Sequence, residues 1–172
     1  MNYLTLPIGA KAPAVINAVV EVPGGQTNKY EYDRSLHIFR LDRPLYASVH
    51  YPGDYGFVPG TLAPDGDPLD ILILLPAPTF PGCLVEVRPV GVLAMLDQQQ
   101  SDEKVLAVAT ASPTHRQVRD HTDFAPHVLR EIEHFFAVYK ELEGKHTEIR
   151  GWRDCREAQE LVRSAHERFL QH

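Results

Sequence analysis

Two cysteines in 172 residues, Cys83 and Cys155, are too few and too far apart to staple a small fold. Their spacing fits no metal-ligand pattern, so ordinary reduced thiols in a reducing compartment are expected. A basic surface is missing too: 23 acids stand against 17 Lys and Arg, a formal charge of −6. Long-range attraction to DNA or RNA is therefore not expected. Apolar runs such as Ile71 to Leu75 have the length of a buried strand and fall far short of a membrane span. The N-terminus, MNYLTLPIGAKAP, has no charged start followed by an apolar stretch, so the cytoplasm is the expected location. There is no internal repeat and no low-complexity tract. Familiar catalytic signatures are also absent: no Gly-rich loop ending in Gly-Lys-Ser/Thr, no Gly-x-Ser-x-Gly elbow, no His-Glu-x-x-His helix.

What is present is the composition of a globular protein. Hydrophobic residues make up 44% and charged residues 23%, and the length suits one domain spanning residues 1–172. A negative chain repels an anionic substrate, so such a substrate would need metal ions or a local basic patch to reverse the field.

Pro and Gly are concentrated in the first half. Val15 to Val22 reads as a strand stopped by Pro23-Gly24-Gly25. Lys29 to Asp33 and Leu36 to Arg40 read as a hairpin. Tyr51-Pro-Gly-Asp-Tyr-Gly-Phe-Val-Pro-Gly60, dense in turn formers, reads as a loop that fixes two Tyr side chains. Asp70 leads into the apolar strand Ile71 to Leu75. Leu84 to Leu96 is a long strand in which Pro89 and Gly91 mark a bulge or bend, and Val105 to Thr110 is another. Short strands punctuated by turns suggest a small antiparallel barrel. After Pro126 the period becomes helical through Leu129, Ile132, Phe135, Phe136, Tyr139 and Leu142, with Gly144 as the stop. A second helix starts at Asp154, with Glu157 as capping-box partner and a stripe of Ala158, Leu161, Val162, Ala165 and Phe169. The expected architecture is α+β: a five-stranded antiparallel β-barrel with two flanking α-helices in the C-terminal half.

The strongest chemical signal is Asp65-Gly-Asp-Pro-Leu-Asp70, three carboxylates in six residues. Crowded carboxylates resist ionising unless a cation sits among them, and hard oxygen donors suit Mg²⁺ or Mn²⁺ better than zinc. The same residues would equally build a solvated turn. An EF-hand starting at Asp65 fails, because Asp70 stands where Gly is needed and Pro76 where the closing Glu belongs. A nucleophilic-Asp phosphatase also fails, since here the apolar strand follows the acids. Asp97 to Lys104 adds more acids beside a Lys, and Glu21, Lys29 and Glu31 alternate in charge; alone, the first reads as a polar surface turn and the second as an exposed strand face. Arg43 alone is an ordinary surface Arg. His127 and His134 share a helix face and read as solvated or interface histidines.

Together these segments resemble the soluble family I inorganic pyrophosphatases of bacterial type. The acidic hexapeptide carries the resemblance. Glu21…Asn28-Lys29-Tyr30-Glu31, Asp42-Arg43, Tyr51-Pro-x-x-Tyr55-Gly-Phe and Arg88-Pro-Val-Gly-Val follow in family order. So do Asp97…Asp102-x-Lys104, His134-Phe-Phe-x-x-Tyr139-Lys140 and Gly151-Trp152. The turn between Glu21 and Lys29 is shorter than in some relatives, and Ser112 to Ala125 matches only loosely.

The resemblance implies Mg²⁺-dependent hydrolysis of pyrophosphate to two orthophosphates, with several Mg²⁺ per site and Mn²⁺ as a possible substitute. Attack would come directly from metal-activated water or hydroxide, with no protein nucleophile. The resemblance casts Asp65, Asp70 and Asp102 as ligands of the activating metal, with Asp70 bridging to a second ion. Asp97 and Asp102 would hold substrate-borne Mg²⁺, and Glu21 and Glu31 would close the acidic cavity. Asp67 is cast as general base. Lys29, Arg43, Tyr55, Lys104, Tyr139 and Lys140 become phosphate binders, and Tyr51 lines the site. It also implies an OB-type barrel and a homohexamer. These residue types suit the chemistry, since phosphoryl transfer needs positioning and charge stabilisation more than covalent help. Two rivals remain open from sequence: a metal-dependent hydrolase of nucleotides or other phosphate esters, and a non-catalytic barrel that binds oligonucleotides.

Overall fold

A computed structural model describes all residues from 1 to 172. Five strands close a ring: β1 (Ile16–Val22), β4 (Asp54–Phe57), β5 (Asp70–Leu74), β8 (Lys104–Ala109) and β6 (Leu84–Asp97), with β6 pairing back onto β1. The ring is the expected α+β, OB-like barrel, antiparallel except that β5 and β8 run parallel. Around it lie a separate two-stranded hairpin, β2 (Asn28–Asp33) with β3 (Ile38–Pro44), and the two-residue β7 (Gln100–Ser101). Helix α1 (Pro126–Val138), strand β9 (Thr147–Arg153) and helix α2 (Cys155–Leu170) complete the chain. Neither helix is long and apolar enough to cross a membrane.

Alternation explains how the thin ring supports two cores. In β5, Ile71 and Ile73 pack with Val105 and Ala107 of β8 beneath Val162 and Ala165 of α2. Their neighbours Leu72, Leu74, Leu106 and Val108 pack instead with Ile132, Phe135 and Phe136 of α1. Both faces of these strands are buried, which is why they read as continuous apolar runs rather than alternating ones.

The long β6 serves β1, β8, β7 and β9 in turn, and it does so by bending. Its register shifts between Pro89 and Gly91, where the sequence marks a bulge, and again between Ala94 and Met95.

Three local expectations are corrected. The Tyr51–Gly60 stretch is not wholly loop, because residues 54–57 form β4 and close the ring between β1 and β5. Turn-forming composition conceals this strand; a Cβ on Gly56 would sit 1.9 Å from the Val19 carbonyl oxygen, so glycine is required for the close approach. The second hairpin strand starts later and runs through Arg43, because Asp33 accepts from the Ser35 and Leu36 amides and spends residues 34–37 on a turn. Helix α1 ends at Val138 rather than near Leu142. A 3₁₀ turn, Glu141–Glu143, follows, and Gly144 closes it at φ 74°. Helix α2 starts as expected, with Asp154 accepting from the Glu157 amide, although Glu157 returns no bond to Asp154. Strand β9 carries no clear periodicity and escaped the sequence reading.

Candidate active site

The barrel presents one cavity of about 720 Å³ in which acids and cations meet. It draws on widely separated parts of the chain. Glu21 comes from β1, Lys29 and Glu31 from β2, Tyr55 from β4, and Asp65, Asp67 and Asp70 from the loop into β5. Asp97 ends β6, Asp102 precedes β8, Lys104 opens it, and Tyr139 and Lys140 follow α1. Of the residues singled out in the sequence, only Arg43 does not line this cavity. It sits beside Lys29 across the β2–β3 ladder, with its guanidinium turned to Asp42 and Glu143. Tyr51 lines the cavity, as expected. Arg34 also lines it and was missed, because a lone Arg in a hairpin turn carries no sequence signal.

Local turn chemistry sets the acidic loop. Asp65 accepts the Asp67 amide at 3.0 Å, and Ala63 donates its amide to the Asp67 carbonyl at 2.7 Å, which holds Asp65 and Asp67 on a tight turn. Asp97 precedes the two-residue turn Gln98-Gln99, in which both residues have positive φ, and Asp102 follows β7 on the other side. The Asp102 amide donates to Met95 at 2.9 Å and pins the return strand.

Charge pairing runs through the whole cavity. Lys104, only 4% exposed, donates to both Asp70 and Asp102. Lys140 pairs with Asp97, Lys29 with Glu31, and Arg34 with Asp67. Burial works against the Lys104 charge, yet Asp70 and Asp102 outweigh it and hold the ammonium above its ordinary range. Burial raises Asp102 despite its Lys104 partner. Glu21 is pushed up to about 8, first by burial and then by nearby Asp70, although the Tyr32 amide donates to it at 2.8 Å. Burial likewise pushes the Tyr51 and Tyr55 hydroxyls above their usual range.

No three carboxylates already meet at one point as a finished ligand cage. The donor chemistry nevertheless fits a hard divalent cation. All candidate ligands are oxygens, burial resists ionisation of Glu21 and Asp102, and the buried Asp97 Oδ1 has no hydrogen-bond partner. Seven carboxylates line the cavity against four cationic side chains, an excess that added cations would offset.

A second hollow of about 500 Å³ shares only Tyr51 with the first. Its two acids are Asp54, engaged with the Gly24 and Thr79 amides, and the exposed Glu131, with His50 and His134 beside them. No Lys or Arg lines it, so it is ill suited to a phosphate. His127 is exposed, 3.3 Å from Glu131 across one helical turn, and no metal-binding group forms on that helix.

Comparisons with known proteins bear on the family of the chain. The family model described as inorganic pyrophosphatase matches residues 18–170. The inorganic pyrophosphatase of Nostoc sp. is 53% identical over 162 residues, covering 94% of this chain and 95% of the relative. That of Thermus thermophilus is 48% identical over 171 residues, 98% of each. The crystal structure of the Thermus thermophilus inorganic pyrophosphatase superposes with a TM-score of 0.97 at 47% identity, covering 99% of both chains. The Neisseria gonorrhoeae inorganic pyrophosphatase gives 0.89 at 31% identity over 98% of each. This chain belongs to the inorganic pyrophosphatase family.

Proposed function

We propose that the chain hydrolyses inorganic pyrophosphate to two orthophosphates in a Mg²⁺-dependent reaction. The observation that carries the reading is the single cavity that gathers Lys29, Lys104 and Lys140 with seven carboxylates, in a chain of this family. Water adds to one phosphorus, the bridging P–O bond breaks, and the second phosphate leaves with the bridging oxygen. Lys29, Lys104 and Lys140 offer point charges to the phosphate oxygens, Arg43 offers a planar fork from the hairpin, and Tyr55 and Tyr139 offer neutral donors on rigid rings. Tyr55 and Tyr139 suit that task because both rings are buried and packed among Tyr51, Phe135 and Phe136.

Asp65, Asp70 and Asp102, with Asp97, Glu21 and Glu31, would hold Mg²⁺, and Mn²⁺ suits the same oxygen donors. Bound there, the metal neutralises substrate charge and makes water a better nucleophile. Asp67 is the proposed general base, an exposed acid of the hexapeptide that pairs with Arg34. Proton removal at Asp67 Oδ1 requires Arg34 to release it, an inexpensive step for an exposed ion pair.

Phosphate release from pyrophosphate, stopped by chelator and restored by Mg²⁺, tests the activity. ATP and a sugar phosphate run beside it separate this reading from a broader phosphate-ester hydrolase. Preferential turnover of either would sink the specificity. Asp67→Asn should leave the fold intact while lowering turnover by about 10²- to 10⁴-fold. A homohexamer in the cytoplasm completes the proposal. The free thiols of Cys83 and Cys155 are consistent with that compartment, and sedimentation tests the assembly.

A further inference from the structure

The β2–β3 hairpin delivers Lys29, Glu31 and Arg43, yet no ladder joins it to the barrel ring. One end is anchored by aromatic packing, with Tyr32 and Phe39 against each other and against Tyr3. The other end carries the cations, and there the strongest polar tie is a half-buried ion pair spanning 100 positions in sequence. Glu143, whose side chain is 8% exposed, faces the Arg43 guanidinium along one edge. Nη2 donates to Oε2 at 3.2 Å, while Nε lies 2.6 Å from Oε1 without the alignment of a hydrogen bond. Asp42 takes Nη1. This spends one N–H on each terminal nitrogen and leaves one on each free to donate to a phosphate.

Glu143 also has a revealing place in the chain. It ends the 3₁₀ turn that begins directly after Lys140, so the segment that brings Tyr139 and Lys140 to the cavity also grips Arg43. Gly144, at φ 74°, terminates that turn and leads the chain away toward β9.

We propose that Glu143 is a positioning residue, a strap that holds the Arg43 guanidinium in register with Lys140 and Lys29 for the substrate phosphate. The inference rests on the reading of Arg43 as a phosphate binder. An exposed ion pair would carry little information, but this one is shielded, joins the hairpin to the turn after α1 and orients a forked donor. Misplacing a binding group by about 1 Å can cost about 10²-fold in rate.

A double-mutant cycle tests it, with steady-state pyrophosphate hydrolysis measured for Glu143→Gln, Arg43→Gln and the pair, and thermal melting recorded for each. Glu143→Gln should lower kcat/KM by roughly 10- to 10²-fold, mostly through KM, with Glu143→Asp recovering part of the loss. In the Arg43→Gln background, Glu143→Gln should change nothing further. An equal loss in both backgrounds would show that Glu143 acts on the fold at large and overturn the inference, as would full activity in Glu143→Gln. If Arg43→Gln itself keeps kcat/KM unchanged, the phosphate-binding reading of Arg43 fails instead, and the strap has nothing to position.

Discussion

The floor of the cavity and its rim use the same carboxylate–ammonium and carboxylate–guanidinium chemistry under different solvation. On the floor, Lys104 is 4% exposed and shared between Asp70 and Asp102. On the rim, Arg34 and Asp67 are 50% and 68% exposed. In the shielded site each charge depends on its neighbours, because water cannot replace a lost partner. At the rim water replaces it readily. A site of this design has a rigid, interdependent floor that sets charge and a loosely held edge whose groups exchange partners as substrate enters.

The largest test of that contrast is Lys104→Met. Removing the shared cation strands Asp70 and Asp102, and stability in urea with chelator present should fall by about 3–5 kcal/mol. Added Mg²⁺ should recover part of it if the carboxylates bind metal. A loss no larger than that of a rim variant would erase the distinction.

Glu21 sharpens the floor side through pH. Its folded value of about 8 lies above the ordinary 4.5, so the folded chain holds a proton that the unfolded chain has released. That contribution is fully present below pH 4.5 and is lost as pH rises through 8. In chelator, Glu21→Gln should remove roughly 2–4 kcal/mol of this pH-dependent decline, at about 1.4 kcal/mol per unit. Chemical denaturation repeated from pH 5 to 9 reads it directly, and parallel curves for variant and parent would refute it.

The hairpin turn next to the rim shows the opposite sign. Asp33 accepts from the Ser35 hydroxyl and from the Leu36 and Ser35 amides, which hold it below the usual carboxylate range. Its contribution is present above pH 3.8 and lost as pH falls below it, so Asp33→Asn should blunt the acid side of the stability profile. An unchanged acid limb would count against the turn as the cause. Smallest of all, Arg34→Ala should cost under about 1 kcal/mol in the same assay. A larger loss would mean that the rim is as interdependent as the floor.

Much of the site was legible before any coordinates. Asp65, Asp67 and Asp70 crowd one hexapeptide before an apolar strand, which drew attention to it, although the same residues would also make a solvated turn. Residues such as Asp97, Asp102, Lys104, Tyr139 and Lys140 acquired a role through resemblance, since each segment alone reads as a polar turn or a helix end. Glu143 and Arg34 were invisible. Their partners Arg43 and Asp67 lie 100 and 33 positions away, and no local period encodes such a pairing. The same cause hid β4 and β9, whose strand character comes from hydrogen bonds to remote neighbours and, at Gly56, from a close backbone approach.

Local interactions wrote into the chain its short strands punctuated by turns, its two helices near the C-terminus, the cap at Asp154 and the turn that presents Asp65 and Asp67, because each depends on residues a few positions apart. Closure of the ring, the parallel β5–β8 pair and the sharing of Lys104 between Asp70 and Asp102 were decided only in three dimensions. Those features rest on contacts between distant segments and on the removal of water from charged groups, and solvent exclusion belongs to the assembled fold rather than to any stretch of sequence.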